Sequence, residues 1–392
     1  MECMADVFRI IDRFTVTGRG TVYALEDALQ KASQPKDVRL GDILYDLRGH
    51  RFGVKGIEMA SRPLTGLKLE DLPLGIIMEL IDGIDVEGDF LVRNPDALSF
   101  IFCSHPLYPD RVDDDYKAEY QAAGLKHPCA LFSYEDMEQG RLSLRGEAIS
   151  GLAIYRGWMM KPEMYRAFYH KLTEKGIILV NTPEEYEKYH LLPGWYDDFK
   201  DCTPFSVWED KGTLDSALAL TKELEGSYIV KDYVKSRKHE WYEACFIRDI
   251  SDRKNAVKVI ETFIRRQGSD LVGGIVLRKF ENLQTAGFHE VSGMPLSEEY
   301  RVFVFAGRVL IVDNYWHSDP NVHISEDESK WIDSIARRIK SSFVTIDLAR
   351  RADGALIIME MGDGQVSGLQ QIRPEDFYRA FENEKQKEMM TL

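Results

Sequence analysis

The sequence predicts an α+β protein: an N-terminal antiparallel β-barrel, a small parallel α/β unit, then a larger α+β region. Three observations predict it. Short apolar runs separated by turn residues fill residues 5 to about 98, which is the spacing of a small antiparallel barrel. A strand–helix–strand pattern follows between Ala153 and Val180, and such units are usually parallel. Near the end, two apolar runs flank the Asp353-Gly354 turn, and each delivers a carboxylate, Asp347 and Glu360. A hairpin of that kind places both acids close together on one sheet.

The elements follow in order. Val7 to Val16 alternates like a strand and stops at Thr17-Gly18-Arg19-Gly20, where glycine permits a tight turn. Thr21–Leu25, Asp42–Tyr45, Phe52–Met59, Gly75–Leu80 and Asp89–Arg93 read as further strands. Leu98–Ser104 is another apolar run, and the Pro- and Asp-rich stretch His105–Asp115 after it marks a boundary region. Tyr116–Ala122 reads as a short helix, and Cys129–Ser133 and Ala153–Met160 read as strands. Lys161–Lys175 has helical periodicity, with Pro162 near its first turn and Gly176 at its end, before the strand Ile177–Val180. Glu299–Asp313 reads as a hairpin turning at Ala306-Gly307.

Composition narrows the function classes. The 392 residues are enough for two to three domains. A formal net charge of −15 argues against non-specific binding of the whole chain to nucleic acid or anionic membrane. Five widely spaced cysteines without a Cys-x-x-Cys pair predict reduced thiols in a cytoplasmic protein. The N-terminal residues lack a basic-then-apolar secretory signal, and no apolar stretch is long enough to span a bilayer. The nine histidines show no metal spacing. His317 and His323 read as loop residues, and Trp195, Tyr196, Trp208, Trp241 and Trp316 as core or pocket walls.

The run Phe8 to Val22, with Leu40-Gly-Asp42 and Lys55-Gly-Ile57-Glu58 after it, resembles domain 2 of Tu-type elongation factors. No GTPase phosphate loop precedes it. The resemblance therefore implies a barrel module over residues 1–98, which could meet RNA or a protein partner, and not GTP hydrolysis.

Chemistry concentrates further on. Tyr228-Ile-Val-Lys231 is an apolar strand ending in a lysine, followed by the basic loop Lys235-Ser-Arg237-Lys238. A fixed ammonium and a cationic loop suit a polyphosphate. Gly273-Gly274 precedes the β-run Ile275–Phe280, Arg301 sits in the first strand of the later hairpin, and the acid pair Asp347 and Glu360 follows. Two close carboxylates repel unless a cation joins them, which suits a hard divalent ion.

This order resembles the ATP-grasp superfamily over roughly residues 150–372. Tyr155-Arg156-Gly-Trp, Ile229–Ser236 and Glu360–Leu369 look like one ATP-grasp clade, named for an arginine and two lysines. The resemblance implies Arg156, Lys231 and Lys235 for those three, and makes Arg156 and Arg301 catalytic. It places Lys231 and Lys235 at the phosphates of ATP, with Lys235 also catalytic. It makes Val276, Leu277, Arg278, Lys279 and Phe280 the hinge at the adenine, with Glu281 beside the ribose. It aims Arg301 at the γ-phosphate, and gives Mg²⁺ to Asp347 and Glu360. Gly362 stands where the clade carries an asparagine, so Asp363 is the third expected metal ligand.

The domains implied are the barrel over 1–98 and an ATP-grasp region over 99–392, divided into a preceding α/β subdomain (99–205) and ATP-binding subdomains (206–392). The activity implied is an ATP- and Mg²⁺-dependent ligase joining a carboxylate to an amine or related nucleophile. A phosphotransferase in the same site, and a nucleotide-binding scaffold whose barrel binds RNA or a translation component, are the alternatives. Each residue also has a plainer reading. Lys235, Arg237 and Lys238 make a solvated charge run, Arg156 a surface arginine, Arg301 an outward strand residue, and the two acids solvated strand ends.

Overall fold

The computed structural model describes residues 7–288, 295–315 and 324–389, apart from short stretches before residue 98 (18–19, 28–37, 48–49, 60–61, 65–73, 82, 87, 89 and 94–97). The middle of the Gly18-Arg19 turn, and Trp316, His317 and His323, lie outside the described residues.

Six antiparallel strands close into the N-terminal barrel. Their order is Ile43–Asp46, Phe90–Val92, Val7–Val16, Gly20–Asp27, Leu74–Leu80 and Arg51–Met59, and the last pairs back onto the first. Arg62–Leu64 adds a short edge to Arg51–Met59. Phe8, Tyr23, Leu25, Leu44, Phe52 and Ile76 fill the interior, as alternation along each strand requires. Closure removes the exposed sheet edges that invite aggregation.

The next sheet is parallel at its centre: Cys129–Phe132, Ser99–His105, Gly151–Arg156 and Ile177–Leu179 lie side by side. These four strands are buried along their whole length apart from His105, so they read as continuous apolar runs and not as alternating ones. The helix Pro162–Thr173 makes the crossover, with Pro162 in its first turn. The helix Pro183–His190 follows, started by a capping box between Thr182 and Glu185. Its Tyr186 stacks on Tyr165 at 3.9 Å between ring centroids. The C-terminal helix Pro374–Met389 returns to this unit: Phe377, Tyr378 and Phe381 share one core with Phe100, Phe102, Phe303 and Phe343.

Two four-stranded antiparallel sheets complete the chain. One has the order Ser206–Trp208, Val276–Lys279, Tyr228–Lys231, Phe246–Ile247, with the helix Arg253–Gln267 on its face. The other has the order Arg308–Asn314, Glu299–Phe305, Phe343–Arg350, Leu356–Asp363. The expected hairpin turn at Ala306-Gly307 is present, with both residues at positive φ. Gly274 allows the first of these sheets to close: a Cβ there would lie 1.6 Å from the Glu209 carbonyl oxygen. Gly274→Ala is therefore expected to destabilise the protein by about 3 kcal/mol, the upper end for overpacking, read by urea unfolding. A loss under about 0.5 kcal/mol would contradict the close approach.

Among the described residues, no helix is long and apolar enough to cross a membrane. Cys103, Cys129, Cys202 and Cys245 are free.

Candidate active site

The two C-terminal sheets meet at their functional side chains. The strand Tyr228–Lys231 ends with Lys231, which is 6% exposed. The strand Leu356–Asp363 of the other sheet brings Glu360 to it, and Lys231 Nζ donates to Glu360 Oε1 at 3.1 Å. Asp347 lies directly opposite Glu360 in the antiparallel register, and Arg301 directly opposite Asp347 on its other side. The Arg301 guanidinium is bidentate on the Asp347 carboxylate, at 2.8 and 2.7 Å, and donates a third bond to the Gly368 carbonyl at 2.6 Å. Three neighbouring strands thus present Arg301, Asp347 and Glu360 in one row across the sheet.

Two cavities adjoin this row. One, of about 290 Å³, is walled by Ile229, Trp241, Phe280 and Leu296 and contains Lys231. The other, of about 280 Å³, contains Lys235, Arg301 and Asp347. Ser236, Lys238 and Glu360 line both, so the cavities meet at Glu360. Burial alone would raise the Glu360 carboxyl, but the Lys231 and Lys238 ammoniums and the Arg278 guanidinium outweigh it and hold it below the usual glutamate range. Burial alone would lower the Lys238 ammonium, but Glu299, Glu360, Tyr315 and Asp347 together raise it. Both groups are therefore charged.

The structure distributes the expected residues unevenly. Lys231, Lys235, Arg301, Asp347 and Glu360 come together around the two cavities. Lys235 lines only the second cavity, whereas Lys238, read from sequence as part of a solvated run, lines both. Of the expected hinge, Arg278, Lys279, Phe280 and Glu281 line the first cavity, and Val276 and Leu277 do not; these two are fully buried in the strand.

Two expectations, those for Arg156 and Asp363, are corrected. The Arg278 side chain, expected only in the hinge strand, turns inward. It donates to Thr203 Oγ1 at 2.7 Å, Ser206 Oγ at 2.8 Å and the Met359 carbonyl at 2.7 Å, which ties the two sheets together. Burial lowers this guanidinium to about 10.

Arg156 is fully buried and its donors are committed. Nε and Nη2 bond Glu119 at 2.9 and 3.1 Å, and Nη1 bonds the Gly364 and Gln365 carbonyls at 2.5 and 3.4 Å. It holds the turn after Glu360 and lines neither cavity.

Asp363 lines the second cavity with Asp347 and Glu360, but its carboxylate turns away from theirs. Three residues beyond Glu360 on a strand, it faces the opposite side of the sheet. There its carboxylate accepts from Asn181 and from the Gln365 amide. Among the described residues, no three His, Cys, Asp or Glu side chains are grouped to hold a metal.

Burial pushes the Asp363 carboxyl up to about 7. Between about pH 4 and pH 7 the folded chain then holds a proton that the unfolded chain has lost, so stability falls as pH rises through that window. Asp363→Asn is expected to remove this dependence. The difference in unfolding free energy between wild type and variant should change by about 1.4 kcal/mol per pH unit there and level off above pH 7. A constant difference from pH 5 to pH 8 would contradict the buried, protonated acid.

His190 escaped sequence reading because no motif surrounds it. It is 6% exposed, stacks on Tyr186 at 4.8 Å and lines the second cavity.

Asp347 and Glu360 fit a magnesium ion, which is commonly held by one or two carboxylates together with substrate phosphates. The nearby Lys231 and Lys238, and an aromatic-walled cavity on the same edge, fit a nucleoside triphosphate.

Residues 219–381 match a family model of the ATP-grasp domain, the third family of the clade named for an arginine and two lysines. No curated protein matches the chain in sequence. Solved structures with a similar trace include a RimK domain protein ATP-grasp from Sphaerobacter thermophilus, at 11% identity and a TM-score of 0.49, covering 72% of this chain and 98% of that one. A D-alanine-D-alanine ligase from Coxiella burnetii has 8% identity and a TM-score of 0.47, covering 75% of this chain and 96% of that one. D-alanyl-alanine synthetase A from Vibrio cholerae has 13% identity and a TM-score of 0.44, covering 73% and 98%. By this match, residues 219–381, under half of the chain, are similar to an ATP-grasp domain.

Proposed function

We propose that the protein is an ATP- and Mg²⁺-dependent ligase that joins a carboxylate to an amine or related nucleophile through an acyl phosphate. The observation that carries this reading is the junction of two cavities at Glu360, with Lys231 on one side and Asp347 and Arg301 on the other. A triphosphate reaching from the first cavity would bring its terminal phosphate to the mouth of the second.

In this reading Trp241 and Phe280 flank the base, and the backbone of Arg278–Glu281 meets its polar edge. Lys231 and Lys238 neutralise the phosphates. Asp347 and Glu360 would hold Mg²⁺, which would supply charge neutralisation for the triphosphate. Arg301, fixed by Asp347, faces the γ-phosphate. The substrate carboxylate oxygen bonds to the γ-phosphorus as the bond to ADP breaks. The nucleophile's lone pair then attacks the acyl carbon, inorganic phosphate leaves, and the nucleophile loses a proton. Preorganised cations at the transferring group are the largest contribution expected of such a site. The barrel, with its separate core, is the module that would meet an RNA or protein partner.

The test is incubation with ATP, Mg²⁺ and a cell extract, followed by mass spectrometry. The expected result is ADP, inorganic phosphate and a conjugate formed with loss of water. AMP with pyrophosphate would contradict the acyl phosphate. A phosphorylated product that accumulates without a conjugate would favour phosphotransfer.

A further inference from the structure

The second cavity contains a pair that neither the nucleotide nor the metal uses. His190 ends the helix Pro183–His190 and is more than nine-tenths buried. One face of its ring is stacked on Tyr186, and neither ring nitrogen meets a hydrogen-bond partner among the described residues. The ring lines an open cavity, from which a ligand could reach it. Lys235 lines the same cavity and has no carboxylate partner among the described residues. Burial and then the Lys235 ammonium lower the His190 imidazole, with Glu360 opposing and Lys231 adding to them, so Lys235 and the Glu360 row both face the ring.

A free ammonium beside a neutral imidazole N–H offers two donors to one anion. Neither residue lines the nucleotide cavity. Lys231, Lys238 and Arg301 already face Glu360 and Asp347. Val234, Met361 and Val366 give the same cavity an apolar lining, which suits a short hydrocarbon spacer.

We propose that Lys235 and His190 form a subsite for a second carboxylate of the substrate, so that the protein acts on a dicarboxylate whose other carboxylate is the one activated. This rests on the ligase reading above. It also moves Lys235 from the phosphates to the substrate.

The experiment uses the full chain, labelled with ¹⁵N at its histidine rings and saturated with the non-hydrolysable analogue AMP-PNP and Mg²⁺. Glutarate is titrated in, and His190→Gln identifies the His190 ring signals. Saturable shifts of those signals by glutarate are expected, with at least tenfold weaker binding of propionate, which has one carboxylate. Lys235→Met is expected to weaken glutarate binding at least tenfold. If His190→Gln does not fold, the exposed substitution Lys235→Met still decides the matter, because it should abolish the shift of one histidine signal. The subsite is overturned if no histidine signal responds to glutarate, if propionate or inorganic phosphate binds equally well, or if Lys235→Met changes nothing. Calorimetry on the wild type separates the two readings. Protein that binds no AMP-PNP contradicts the ligase reading, whereas protein that binds AMP-PNP and ignores glutarate contradicts the subsite alone.

Discussion

Glu360→Gln is expected to lower ATP turnover by about a thousandfold, in line with the loss of one preorganised charge at a transferring phosphoryl group. The substitution keeps the shape of the side chain and removes its charge. Lys231 loses its carboxylate partner, and the proposed metal site keeps only Asp347, which already carries the Arg301 guanidinium. The fold should change little. The Glu360 side chain is 36% exposed, so its ion pair is screened by solvent and contributes no more than about 1 kcal/mol. Release of ADP measured at saturating ATP and Mg²⁺ reads the effect. Turnover within threefold of wild type, in a variant that unfolds at the same temperature, would remove Glu360 from the metal site.

Arg156→Met is expected to cost about 3–5 kcal/mol of stability, the usual result of removing one partner from a buried ion pair. The guanidinium is fully buried and its partner Glu119 almost so. Methionine fills the space but leaves the Glu119 carboxylate, among the described residues, with the Tyr378 hydroxyl as its side-chain donor. The double substitution Arg156→Met, Glu119→Gln should recover most of the loss, because the uncompensated charge is gone. Urea unfolding of the three proteins measures this. Activity should fall only as far as the turn at Gly364 and Gln365 is displaced, since Arg156 holds that turn by two carbonyls. A single variant with unchanged stability and abolished turnover would instead give Arg156 a direct part in the chemistry.

The frame of the protein is readable in the amino acids because each element carries its own period. The barrel strands alternate, the central parallel strands are continuously apolar, and the two late hairpins turn at Ala306-Gly307 and beside Gly354, where positive φ is needed. The opposition of Asp347 and Glu360 follows from one short turn between two strands. The placement of Asp363 was also readable: an odd offset along a strand changes the face, and the bulge beside Leu348 lies before Glu360, so it does not rescue the alternation.

Other features depend on contacts between residues far apart in the chain. Nothing local to Arg156 shows that Glu119 and the Gly364 carbonyl will enclose it. Arg278 finds its acceptors on strands more than seventy residues away. Lys238 looks like any member of a charge run until Glu299, Glu360 and Asp347 surround it. His190 becomes notable only once it is seen to be buried, stacked and without a partner beside an open cavity.

The most direct measurement is a crystal structure of the full chain with AMP-PNP and Mn²⁺, using the metal's anomalous signal to locate it. The expected peak lies within about 2.2 Å of oxygens from both Asp347 and Glu360, with the base between Trp241 and Phe280 and Lys231 at the phosphates. A metal bound away from both carboxylates, or a nucleotide outside the two cavities, would contradict the site.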